Sequence, residues 1–170
     1  YSTVAIMASG VSLPWAIKAQ TILANDFEVR ADVYSVTSWN ELRRDGLEVE
    51  RFNLLNPGLT QKTAFITSLL EKHEGPVIAV SDWMKLVPEQ IRPYLSNDFH
   101  VLGTDGWGVS DTRGALRRHF LIDTESIVTQ SLMTLVKKDE MKLQKVISET
   151  SKYNLNDPTA AETGSTAGDS

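Results

Sequence analysis

Residues 3–15 read Thr-Val-Ala-Ile-Met-Ala-Ser-Gly-Val-Ser-Leu-Pro-Trp, and this stretch contains a complete transition from strand to helix. The apolar run Thr3–Ala8 is typical of a buried strand, which the Ser-Gly pair ends. Ser12 is a candidate N-cap for the next helix, and Pro14 fits the first turn, where a missing N–H loses no partner. We therefore predict a strand followed at once by a helix that continues as far as Asn25.

The same alternation of strand and helix continues along the chain. It implies parallel pairing and predicts an α/β fold, a three-layer α/β/α sandwich on a mainly parallel sheet. Residues 38–56 are an exception, because their pattern predicts irregular structure with helical pieces. The further predicted strands are 29–36, 76–80 and 99–103; the further predicted helices are 62–72, a short one broken at Pro88 and Pro93, 113–119, one capped by Asp123 and one capped by Asp139.

Length and composition predict one domain and a tail. A chain of 170 residues is long enough for a single core, which we place in residues 1–153. Residues 154–170 contain almost no large apolar side chains, so we expect a disordered polar tail there. Because the chain starts on a strand without Met, we interpret it as a piece of a longer protein.

The composition also excludes several classes of protein. A net charge of -5 argues against a nucleic-acid partner, which usually meets a clustered basic face. The absence of cysteine excludes disulfides, thiolate metal sites and a cysteine nucleophile. The apolar runs are far shorter than the roughly 20 residues of a membrane-spanning helix, so no membrane partner is expected. The three histidines lack the spacing of metal ligands, and no metal site is predicted.

Candidate functional residues lie in the loops that follow the first, third and fourth strands. In a parallel sheet these loops emerge at the same carboxyl edge, where open α/β sheets bind ligands. No catalytic, cofactor-binding or metal-ligating residue is predicted among them. The candidates, as edge-loop or interface residues, are Ser9, Gly10, Asp82, Lys85, Asp105, Gly106, Gly108, Ser110, Asp111 and Arg113.

The loop 104–113, Thr-Asp-Gly-Trp-Gly-Val-Ser-Asp-Thr-Arg, lacks the known glycine-rich phosphate-binding patterns. Its two glycines, Gly106 and Gly108, predict positive φ angles or close approaches by other groups. Its Ser-Asp-Thr run can cap the helix that follows. These features favour a structural or interface role for the loop, with ligand contact as the alternative. Asp82 and Lys85 are likewise interpreted as a cap and a surface charge rather than a catalytic acid and a substrate clamp.

Several motifs together have a recognisable pattern. They are Asp32-Val-Tyr-Ser-Val-Thr-Ser38, Ser81-Asp-Trp-Met-Lys85, Val101-Leu-Gly-Thr-Asp-Gly106 and Ser110-Asp-Thr-Arg113. With them the chain resembles the carboxy-terminal, transketolase-like domain of homodimeric pyruvate dehydrogenase, the decarboxylating first component of its complex. The resemblance implies a transketolase C-terminal domain-like sheet with the first strand central and the second beside it. In that family an antiparallel strand precedes the corresponding segment.

The resemblance also implies a function for the longer enzyme. That enzyme is a cytoplasmic homodimer that uses thiamin diphosphate and Mg²⁺ to decarboxylate pyruvate and acetylate a lipoyl domain. Its cofactor is held elsewhere, by a Gly-Asp-Gly motif and a later Asn. Here Arg44-Asp-Gly46 lacks the first glycine, and Thr104-Asp-Gly106 lacks the Asn. We therefore expect this chain to bind no cofactor and to be inactive alone.

Three roles, and a second family, stay open at this point. The chain can be a non-catalytic support for the dimer and its active-site walls, in contact with the other domains of the same enzyme and with the dimer mate. It can be a docking module for the dihydrolipoyl acetyltransferase core. It can also carry a regulatory small-molecule site at the carboxyl edge, which a pocket lined by Asp82, Asp105 and Arg113 would favour. Transketolase itself is the alternative family.

Overall fold

Four parallel strands form the centre of the protein in a computed structural model, which describes residues 2–161. The strands are β1 (Thr3–Ala8), β2 (Arg30–Ser35), β3 (Val77–Val80) and β4 (Phe99–Leu102). They lie in the order β2-β1-β3-β4, with each neighbouring pair parallel. The first strand is thus flanked by the second and the third, as predicted. The chain moves to one side of β1 for β2 and to the other for β3, so the topological switch point lies between β1 and β3.

Seven α-helices connect and cover the strands of the described region. Four single 3₁₀ turns, at Gly10–Ser12, Arg92–Tyr94, Ser151–Tyr153 and Pro158–Ala160, supplement them. None of these helices is both long enough and apolar enough to cross a membrane. The helices are α1 (Leu13–Phe27), α2 (Trp39–Leu55), α3 (Phe65–Leu70), α4 (Leu86–Glu89), α5 (Arg113–His119), α6 (Thr124–Lys137) and α7 (Leu143–Thr150).

Two apolar clusters pack against opposite faces of the sheet. Successive side chains of a strand point to opposite faces, so Val4 and Ile6 enter one cluster while Ala5 and Met7 enter the other. The first cluster contains buried residues of α1, α6 and α7, and the second contains buried residues of α2 and α3. The predicted α/β/α sandwich is therefore confirmed.

Helix α2 differs from the prediction of irregular structure over residues 38–56, because it is one continuous helix, Trp39–Leu55. Its first turn is capped by Ser38, whose Oγ accepts a hydrogen bond from the Glu41 N–H at 3.2 Å. The prediction was wrong because Ser-x-x-Glu is an N-terminal capping signal even when the following residues are mostly polar.

The predicted caps of the last two helices have opposite outcomes. Asp123 caps α6 as predicted, since its Oδ1 accepts from the Ser126 N–H at 3.0 Å. The prediction for Asp139 is wrong: this residue has a φ of 59° just beyond the end of α6, and Lys142 precedes α7. A left-handed residue after a helix ends that helix rather than starting another one.

The C-terminal part of the described chain is tied to α5 through a buried arginine. Arg118 is only 2% exposed and forms ion pairs with Asp123 and Glu125. It also donates a hydrogen bond to the Tyr153 carbonyl at 2.7 Å. Beyond this point residues 154–161 form a turn that ends with the buried Ala161. The rest of the predicted tail, 162–170, lies outside the described residues, and the domain boundary after residue 153 stays a prediction.

Candidate functional site

The loops that follow β1 and β3 are joined by a group of buried hydroxyls at the carboxyl edge of the sheet. Ser9 Oγ donates to Ser81 Oγ at 3.1 Å, and Ser81 Oγ accepts from the Trp83 N–H at 3.0 Å. Ser12 Oγ lies within 2.7 Å of the Ser9 carbonyl and 3.0 Å of the Val80 carbonyl. Serine side chains are thus hydrogen-bond partners for backbone groups at the switch point. Of these residues, only Ser9 was among the predicted candidates.

The loops that follow β3 and β4 are also hydrogen-bonded to each other. The Thr104 N–H donates to the Trp83 carbonyl at 3.0 Å, and Thr104 Oγ1 donates to the Asp82 carbonyl at 2.9 Å. Asp105 Oδ1 accepts from the Lys85 N–H at 2.8 Å, one residue before α4 begins. The Asp105 carboxylate therefore has a local structural partner at the start of a helix.

Half of the predicted site assembles through these contacts. Gly10 has a φ of 57°, and a Cβ on it would lie 3.6 Å from Asp82 Oδ1. The loop after β1 therefore contacts the loop after β3. Ser9, Gly10, Asp82, Lys85 and Asp105 consequently lie together at the carboxyl edge. This grouping follows from parallel strand topology, as the sequence predicted.

The second half of the loop 104–113 makes contacts within its own turns. Asp111 Oδ1 accepts from the Thr112 N–H at 2.7 Å, and Thr112 Oγ1 accepts from the Ala115 N–H at 3.3 Å. Thr112 is therefore the cap of α5, which begins at the exposed Arg113. Ser110 is exposed. Pairing of Arg113 with Asp105 or Asp111 stays a prediction.

The two glycines of this loop have different conformations. Gly106 has a φ of 109°, which only glycine adopts readily, so the prediction of a special backbone is confirmed for it. The same prediction is wrong for Gly108, because its φ is not positive. Among the described residues, no neighbouring atom lies within 4 Å of the position that its Cβ would occupy. Both glycines lie on an exposed stretch of the loop.

Large apolar side chains project from the loops that follow β3 and β4 and from the first residue of α4. Trp107 is 94% exposed and Trp83 is 63% exposed. Met84, Leu86 and Val109 are each at least half exposed. We call these five residues the edge surface. The candidate residues predicted from sequence omitted them, although two tryptophans in otherwise polar loops were a usable signal.

A cleft of about 400 Å³ lies beside the edge surface. It is lined by Ser9, Gly10, residues 36–40, Trp83 and Val87. A second cleft, of about 310 Å³, shares residues 36–38 with it and extends to Phe65 and Leu69. Among the described residues that line the first cleft, Asp82, Asp105 and Arg113 do not appear. The charged pocket that would favour a regulatory ligand is thus not the cleft found here.

The two Asp-Gly pairs do not fit a thiamin diphosphate site. Asp45 and Gly46 lie inside α2, where Asp45 Oδ2 accepts from the Phe65 N–H at 2.7 Å and Gly46 is covered by the Tyr94 ring. Asp105 is engaged by the Lys85 N–H. Across residues 2–161, no group of three or more His, Asp and Glu side chains is arranged to hold a metal ion.

An ion pair links Glu89, the last residue of α4, to Arg92 in the turn that follows. Arg92 Nε lies 2.6 Å from Glu89 Oε2, and the pair forms two hydrogen bonds. The hydrogen bond from Arg92 lowers the pKa of Glu89 below its ordinary value, and the same contact raises the pKa of Arg92. Both effects stabilise the charged forms. The pair therefore joins the end of α4 to the turn that follows it.

The sequence matches the transketolase-like TK C-terminal domain family over residues 1–123. Together with the sheet order, this match defines the class, and the chain belongs to that family. A solved structure described as a split-gene transketolase, inactive β4 tetramer, has a similar fold, with a TM-score of 0.57 and 13% identity over 79% of this chain and 40% of that one.

Three similar proteins have the name pyruvate dehydrogenase E1 component. The protein of Mycolicibacterium smegmatis is 47% identical over 156 residues, or 92% of this chain. Those of Mycobacterium tuberculosis and Escherichia coli K12 are 46% identical over 92% and 41% identical over 89% of the chain. The matched part is their C-terminal region, and the chain spans 17% of the length of each of these relatives.

Proposed function

We propose that this chain is a non-catalytic C-terminal domain of a thiamin diphosphate-dependent pyruvate dehydrogenase, and that it stabilises the dimer and the walls of its active site. The observation that carries the proposal is 47% identity over 92% of the chain to the C-terminal region of a pyruvate dehydrogenase E1 component. Identity at this level, spread over nearly the whole domain, supports a common role for the domain in its enzyme.

The activity of the longer enzyme is part of the same proposal. It would decarboxylate pyruvate and transfer the acetyl group to a lipoyl domain of the dihydrolipoyl acetyltransferase, in the cytoplasm. Thiamin diphosphate and Mg²⁺ would be held by other domains, since Asp45 and Asp105 are engaged in local hydrogen bonds. The contribution of this chain is then positional, because it holds other parts of the enzyme in place.

The hydrogen bonds of the edge loops support a structural role for their carboxylates. Asp105 binds the N–H group at the start of α4, and Asp111 binds the N–H of the residue that caps α5. A carboxylate that satisfies an otherwise unpaired N–H stabilises the local fold by about 1 kcal/mol. This use of the side chains favours support over catalysis.

Transketolase is the weaker candidate for the family of the longer enzyme. The transketolase structure has 13% identity to this chain, against 41% for the Escherichia coli pyruvate dehydrogenase component. The low identity reflects a common fold only, so the pyruvate enzyme is favoured.

A chimeric enzyme tests the proposal. The matching C-terminal region of the Mycolicibacterium smegmatis E1 component is replaced by this chain, and dimer formation and acetyl-CoA production by the reconstituted complex are measured. We expect the chimera to be a dimer with kcat near that of the original enzyme, and an E1 component lacking the region to be inactive. A folded monomer, or an inactive chimera, contradicts the proposal.

Two variants at one position separate support from catalysis. Asp105→Ala removes the acceptor for the Lys85 N–H, so we expect a loss of about 0.5–2 kcal/mol in the stability of the chain. Asp105→Asn keeps an oxygen acceptor but no charge, and kcat of the chimera should stay near that of the unmutated chimera. A hundredfold fall in kcat with unchanged melting, about 2.7 kcal/mol of transition-state stabilisation, would assign the loop to the reaction site instead.

A further inference from the structure

We draw no further inference here: the strongest candidate, the cleft of about 400 Å³ at the carboxyl edge of the sheet between the start of α2 and the loops after β1 and β3, rests on a helix N-terminus alone, because the unpartnered indole nitrogen of Trp39, a residue of its wall, is buried out of reach of a ligand, and nothing else among the described residues shows what would bind there.

Discussion

At the scale of single residues, Gly75 marks a place where the sheet leaves no room for a side chain. This buried glycine lies just before β3, and a Cβ on it would overlap the Thr3 carbonyl at the start of β1. The obstacle is backbone, which cannot rotate away as a side chain can. Glycine is required here so that two central strands can approach.

Gly75→Ala should therefore destabilise the chain by about 1–3 kcal/mol, the usual cost of forcing extra atoms into a packed site. Gly58→Ala is the control, since nothing lies within 4 Å of a Cβ there and its φ is not positive. Urea unfolding of both variants measures the effect. Equal stability of Gly75→Ala and the original chain would show that β1 shifts at no cost.

Tyr153 makes the stability of the chain depend on pH. Its hydroxyl is buried without a hydrogen-bond partner among the described residues. Burial raises the pKa of Tyr153 above its ordinary value of 10.0, and the negative charges of Asp26, Glu125 and Glu149 add to the effect. The pKa of Tyr153 is higher in the folded than in the unfolded chain, so the protonated hydroxyl favours the folded state. This contribution to the free energy of unfolding is complete below pH 10 and is lost as the pH rises through the folded-state pKa.

We expect the free energy of unfolding to fall more between about pH 9 and pH 11 in the original chain than in Tyr153→Phe. At neutral pH the variant should be as stable as the original, or slightly more so, because the lost hydroxyl had no partner. Urea unfolding at both pH values gives the comparison, and Tyr94, whose pKa is also raised, is present in both proteins. Identical losses in the two proteins would contradict the assignment to Tyr153.

At the scale of elements, the segment after α7 makes a testable contribution to stability. Composition alone predicts that residues 154–170 are dispensable, since Leu155 is their only large apolar side chain. In the structure the turn over 154–161 buries Ala161 and brings Asp157 near Arg118. Ending the chain after Tyr153 should therefore lower the melting temperature by about 2–4 °C, as a loss of about 1 kcal/mol does at this size.

Ending the chain after Ala161 is the matched control and should leave the melting temperature unchanged. Differential scanning calorimetry of both truncations distinguishes the two expectations. No drop after removal of 154–170 would mean that the turn contributes nothing.

The elements that the sequence predicted well have their signals within a few neighbouring residues. The bounds of β1 and α5 follow from an apolar run ended by Ser-Gly and from a cap close to Arg113. Helix α2 was missed because most of its residues are polar, and only Trp39 and Gly46 are buried. Its Ser38 cap was the available signal.

The candidate site was predictable only as far as topology determines it. Parallel strands place Ser9, Asp82 and Asp105 at one edge, which pattern alone establishes. The hydrogen bond between Lys85 and Asp105 spans 20 residues of sequence, so no local pattern indicates it. The exposure of Trp107 depends in the same way on how far the loop extends from the sheet.

At the scale of the whole molecule, the isolated chain should not bind thiamin diphosphate. Among the described residues no group of three or more His, Asp and Glu side chains is placed to hold Mg²⁺, and the Asp45 and Asp105 carboxylates each accept a backbone N–H group. Isothermal titration calorimetry with thiamin diphosphate and Mg²⁺ should give no stoichiometric heat. The chimeric E1 component provides the positive control, and a site of micromolar affinity in the isolated chain would refute the prediction.

The two-sided packing of the sheet gives each layer its own optical reporter. Trp15 is buried in the cluster on one face, where the Arg117 guanidinium lies 4.5 Å from its ring centre, and Trp39 is buried in the cluster on the other face. With Trp83, Trp107 and one of these two buried tryptophans changed to phenylalanine, the fluorescence of the single remaining tryptophan follows the loss of one layer alone. Coincident transitions would mean that the strands couple both layers into one cooperative unit, and separated transitions would resolve two partly independent folding units within one small domain.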